Sequence, residues 1–92
     1  MYRIVILYQE APDPDGYPDH VERFCQVSDG VFRHGRVTAA PIGDAHGYYA
    51  EFEFADKQAF DEFARSEQFM AAGRDVMERG WKLSSVEFVE LA

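Results

Sequence analysis

The chain has a single cysteine, Cys25, so no disulfide can form within it and nothing in it demands an oxidising compartment. Basic residues are scarce, with nine Lys and Arg against 17 Asp and Glu and a formal net charge of -8. A field of that sign repels phosphate backbones and anionic headgroups, which removes nucleic acid and membrane surfaces from the expected partners. No apolar run approaches the roughly 20 residues that cross a bilayer. The opening MYRIVILYQE has too short an apolar stretch, and no small-residue cleavage site, for a signal peptide. A cytoplasmic location is the default expectation.

Signatures of bound groups are equally sparse. Gly30, Gly35, Gly43 and Gly47 lack the spacing of a phosphate-binding loop. The histidines, at 20, 34 and 46, share no short ligand spacing with one another or with Cys25. Asp13, Asp15, Gly16, Asp19 and Glu22 fall in the register of a calcium loop, but Ala11 takes the first ligand position and a strand replaces the entering helix. No metal and no cofactor is expected.

What the chain does have is apolar and aromatic bulk: 47% hydrophobic residues, including eight Phe, five Tyr and one Trp. A length of 92 residues allows one core, hence one domain over residues 1–92. That much apolar surface exceeds what one thin layer of helices hides, so part of it is expected to lie against a second copy of the chain.

The pattern along the chain sets the order of elements. Tyr2 to Tyr8 is β-branched and aromatic, a central strand expected to be covered on both faces, and Pro12, Pro14 and Gly16 forbid its continuation. Tyr17, Val21, Phe24 and Val27 recur at helical spacing and predict a helix to about Ser28, with Pro18 in its first turn. Val31 to Ala40 reads as a second strand. Tyr48 to Phe54 reads as a third, with Tyr48, Ala50, Phe52 and Phe54 alternating with Tyr49, Glu51 and Glu53. Asp56 opens a helical run that Ser66 interrupts, with Phe60, Phe63 and Ala64 on the first piece and Phe69, Met70, Gly73 and Met77 as the stripe of the second. Arg79-Gly80 closes it, and Trp81 to Leu91 is the last strand. The order β-α-β-β-α-β is that of an α+β ferredoxin-like sandwich, an antiparallel sheet with helices on one face.

In three stretches the sequence resembles the EthD-like family of the dimeric α/β-barrel superfamily. The first is Val5-Ile6-Leu7-Tyr8 with Asp13-Pro14 and then Tyr17, the second is the acidic-aromatic strand Tyr48 to Phe54, and the third is Ser66-Glu67-Gln68 running through Ala71-Ala72 to Asp75-Val76. The resemblance covers nearly the whole chain and implies that two sheets pair into a dimeric barrel. It also implies a small cofactor-independent enzyme acting on a hydrophobic molecule by oxygenation, as a monooxygenase, or by proton transfer. Where family members usually carry a histidine late in the first helix, followed by Pro-Leu and Pro-Gly, this chain has Cys25 to Gly30. A histidine-based activity is therefore not carried over, and a non-catalytic dimeric ligand-binding or auxiliary protein is the alternative. Haem binding, which some relatives in the superfamily perform, is a weaker third reading.

The residues themselves offer a few acid-base groups. His34, between Arg33 and Arg36, is a candidate because an unperturbed imidazole titrates near neutrality, and Glu51 is one because a carboxylate gains basicity when its strand face is desolvated. These two are the expected proton-transfer residues, with Tyr49 and Arg3 orienting substrate and Glu53 setting the local field. His20 on the first helix is a further expected substrate-binding residue, and it and Cys25 are the next candidates for the chemistry, although an inert buried thiol is the simpler reading of Cys25. Arg74-Asp75 reads as solvated helix surface.

Overall fold

A computed structural model describes all 92 residues. The elements are β1 (Tyr2–Tyr8), α1 (Tyr17–Phe24), β2 (Val31–Arg36), β3 (Tyr48–Phe54), α2 (Lys57–Ala64), α3 (Glu67–Glu78) and β4 (Leu83–Glu90). The four strands form one sheet in the order β2-β3-β1-β4, every neighbouring pair antiparallel. This is the expected ferredoxin-like sandwich. No helix is long and apolar enough to cross a membrane.

Register divides the sheet into two chemically different faces. Ile4 lies opposite both Phe52 and Phe88, and Phe52 lies opposite Phe32, so these side chains share the face that packs on the helices. Ile4, Tyr8, Phe52 and Phe54 are fully buried there. The Phe52 ring sits 4.7 Å from Phe63 and 4.8 Å from Phe32, centroid to centroid, a spacing at which tilted aromatic pairs attract beyond simple burial. On the opposite face Arg3, Val5 and Leu7 are half-buried with no layer above them, so β1 is covered on one face by its own chain rather than on both.

Three boundaries differ from expectation, each for a local reason. α1 ends at Phe24 rather than Ser28, because Cys25 leaves helical geometry and the Gln68 side-chain amide of α3 donates to the freed carbonyls of Phe24 (2.9 Å) and Gln26 (2.6 Å). β2 stops at Arg36 rather than Ala40, since Arg36 already faces Tyr48, the first residue of β3. The chain next to Tyr48 is pressed against the first turn. A Cβ on Gly47 would lie 2.5 Å from the Glu10 Cα, so only glycine fits there. β4 begins at Leu83 rather than Trp81, because Gly80 at φ +74° ends α3 in a left-handed cap. Gly80 N–H donates to the Met77 carbonyl and Trp81 N–H to the Val76 carbonyl, the paired bonds of a Schellman motif.

The interruption at Ser66 is real and is capped from within. Ser66 Oγ accepts from Phe69 N–H and donates to the Phe63 carbonyl, so one hydroxyl closes α2 and opens α3. The inward stripe of α3 is shifted from the one expected. Ala72, Asp75 and Val76 are buried, whereas Gly73 is exposed and Met70 and Met77 are 52% and 78% exposed. The shift turns a carboxylate inward.

Candidate functional site

Between sheet and helices lies a cavity of about 50 Å³, lined almost entirely by apolar groups of β1, β3, α1, α3 and β4. Ile6, Ala50, Phe52, Phe69 and Val76 form its walls, and Tyr8, Tyr17, His20 and Cys25 contribute its few polar atoms. The sheet supplies Tyr8 because β1 places every second residue on the helix face. α1 supplies Tyr17 and His20, its two buried residues.

His20 is 3% exposed and boxed by the rings of Tyr17, Phe24 and Trp81 at 5.7, 5.6 and 5.4 Å. Its Nδ1 lies 2.7 Å from Asp75 Oδ2. That same oxygen accepts from Arg79 Nε at 2.7 Å, while Arg79 Nη2 reaches Asp19 at 2.6 Å and Nη1 the Gly16 carbonyl at 3.3 Å. Burial works against the Asp75 carboxylate, yet the hydrogen bonds from His20 and Arg79 prevail and hold it below the usual carboxylate range. An ionised Asp75 fixes the proton on Nδ1, which leaves Nε2, without a hydrogen-bond partner in the chain, to exchange a proton with a ligand. This is the base-and-orienter arrangement of acid-base sites.

The tyrosines complete the polar lining. The Tyr17 hydroxyl is buried with no hydrogen bond of standard geometry. Burial raises its proton affinity well above that of a free phenol, and burial pushes Tyr8 up to about 12, so both stay protonated and able to donate. Cys25 is also pushed up to about 12, by burial first and by the nearby Asp75 charge second, which makes it an unreactive thiol at neutral pH.

The sequence-predicted residues do not meet at one place. His34 lies opposite Ala50 on the helix face, hydrogen-bonded through Nδ1 to the Tyr48 hydroxyl at 2.6 Å and 5.1 Å from the Tyr17 ring. It flanks the cavity without lining it. Glu51, Glu53, Tyr49 and Arg3 stand on the other face, because adjacent positions of paired strands alternate between faces, and His34 meets Tyr49 and Glu51 only around the free edge of β2, where the three line an open depression. On that open face Glu51 accepts from the Tyr49 hydroxyl (2.5 Å) and from Arg33 (3.1 Å), and Glu53 accepts from Arg3 (2.6 Å) and Arg33 (2.9 Å). Those bonds, Arg3 first, hold Glu53 below the usual carboxylate range, and burial followed by the Glu51 bond pushes Tyr49 up to about 12. Two arginines and two glutamates thus neutralise one another.

Asp75 went unrecognised because neighbouring Arg74 made it look like solvated surface. The usable signal was its spacing: Ala72, Asp75, Val76 and Arg79 recur at helical intervals beside Phe69. Asp75→Asn should lower stability at neutral pH by about 1–2 kcal/mol, the loss of hydrogen bonds to a charged group discounted for the solvent that reaches Arg79. A carboxylate with a depressed folded pKa contributes stability above its unfolded value and loses it as pH falls through the folded one. The gap in thermal midpoint between wild type and Asp75→Asn should therefore narrow below about pH 4, and a gap that widens with acid would contradict the pairing.

The fold is similar to that of an ethyl tert-butyl ether D (EthD) family protein from Bacillus halodurans, with a TM-score of 0.73 and 18% identity over 100% of this chain and 99% of that one. It is also similar to a crystal structure of a protein from Arabidopsis thaliana, with a TM-score of 0.67 and 11% identity over 99% of this chain and 92% of that one. At these identities the likeness is one of fold. No protein-family model matches the chain, and no curated protein matches its sequence.

Proposed function

We propose, from the EthD-like fold and the cavity inside it, that the protein is a small cofactor-independent enzyme that moves a proton on a hydrophobic carbonyl or enol compound. The observation that carries this reading is His20, buried beside an apolar cavity with Nδ1 tied to an ionised Asp75. Its Nε2 removes a proton from carbon next to the ligand carbonyl and returns it at another position. Tyr17, and Tyr8 beside it, donate hydrogen bonds to the oxygen on which negative charge develops, and the apolar walls strengthen those bonds by excluding water. His34, against Tyr48 and Tyr17, is the second proton-transfer group and relays to solvent.

The test is exchange of carbon-bound hydrogen in D₂O, followed by NMR over a panel of apolar ketones. Signal loss faster with protein than with buffer supports the reading. A panel that shows no exchange, together with a co-purifying molecule seen by native mass spectrometry, would replace it with that of a ligand-binding protein.

The working unit of this reading is a homodimer. The molecule is only 16 Å across its thinnest dimension, and its uncovered sheet face combines Val5, Leu7, Val31 and Val89 with the self-neutralising Arg3, Arg33, Glu51 and Glu53. Burying such a face against a second copy leaves Glu87, opposite Val5, as its one carboxylate without a partner in the chain. The free sheet edges are of opposite charge, with Arg36 on β2 and Glu87 and Glu90 on β4. Light scattering at micromolar concentration should give twice the 10.5 kDa chain mass, and a monomer mass would refute the pairing.

A further inference from the structure

We infer that Gly73 is the doorway of the cavity and selects a slender apolar chain bearing a small carbonyl or hydroxyl head. The inference rests on the cavity reading above and adds what passes into it. Of the residues that line the cavity, Gly73 and Val86 are the exposed ones, so the cavity meets solvent between α3 and β4. Gly73 lies mid-helix without a positive φ, and a Cβ built on it meets nothing within 4 Å. Neither backbone geometry nor packing calls for glycine there. Glycine is the poorest helix former after proline, so its presence at an unconstrained helical position is explained by the opening that its missing side chain leaves.

Size and surroundings define the ligand. A cavity of about 50 Å³ accommodates roughly four water-sized groups, enough for a small head but not for a fused ring system. The unpartnered Tyr17 hydroxyl gives that head a donor. The stem would leave past Gly73 and lie on Met70, one turn before it, and on Val86 and Phe88, which are 45% and 59% exposed on the same face of β4. An adaptable thioether suits a surface that accepts chains of varied length.

Xenon and two alcohols of equal carbon number test this on the intact protein. Wild type should bind xenon, detected by ¹²⁹Xe NMR, and 1-hexanol should displace it at a concentration at least tenfold below that needed with cyclohexanol. Gly73→Ala should raise the thermal midpoint by about 4–8 °C through helix propensity and weaken xenon uptake. Gly73→Leu should weaken it at least tenfold, while Arg74→Leu, one position around the helix, leaves it unchanged. Equal uptake by Gly73→Leu and wild type would overturn the doorway and leave the cavity standing. Equal displacement by the two alcohols would overturn the slender ligand. Absence of xenon uptake by wild type would overturn both and the proposed function with them.

Discussion

Replacing His20 with glutamine will lower the rate of proton exchange in the cavity by about 10²–10⁴-fold, the usual consequence of removing a general base. Glutamine keeps a donor for Asp75 and much of the side-chain volume, so the fold should survive and the loss should appear in turnover rather than in ligand binding. The distinction matters because His20 is packed among three aromatic rings, and truncation to alanine would mix chemistry with collapse of the site. Native mass spectrometry of the variant with a bound ketone supplies the separate binding measurement. Exchange that continues at the wild-type rate would remove His20 from the chemistry and return the role to His34.

Phe52→Ala carries the largest expected cost to stability. The ring is fully buried, it touches Phe32 across the sheet and Phe63 on α2, and it forms part of the cavity wall. Truncating a buried phenylalanine costs about 3–5 kcal/mol, against a total of about 5–15 kcal/mol for a domain. Urea titration at fixed protein concentration should show the midpoint falling with little change in slope. A variant that unfolds with the parent would mean that β3 presents its other face to the core.

The fold was largely legible because its determinants are local. β3 alternates apolar and acidic residues from Ala50 to Phe54, and capping residues mark Asp56, Ser66 and Gly80, so both elements and order follow from spacing. The site was much less so. His20 and Asp75 are 55 positions apart, and no local period joins them. Their meeting depends on α1 crossing α3, which is decided by packing. The grouping of His34 with Glu51 turns on a finer level: alternation tells which residues of one strand share a face, but the register between strands decides which residues of two strands do, and it lets these two meet only around the edge of β2. On the open face the charges of Glu51 and Glu53 suggested a polar lining, and only the register shows Arg3 and Arg33 placed to quench them.

The solitary thiol turns the cavity into its own clock. Cys25 is 3% exposed, forms part of the cavity wall and closes the C-terminal end of α1. At that exposure a bulky thiol reagent reaches it only when the packing around the end of α1 opens. When reclosing outpaces modification, the labelling rate is the intrinsic thiol rate multiplied by the open fraction, as in amide hydrogen exchange. A molecule held beneath α1 slows labelling in proportion to its occupancy, so one unmodified side chain reports both how often the site opens and how firmly it is filled.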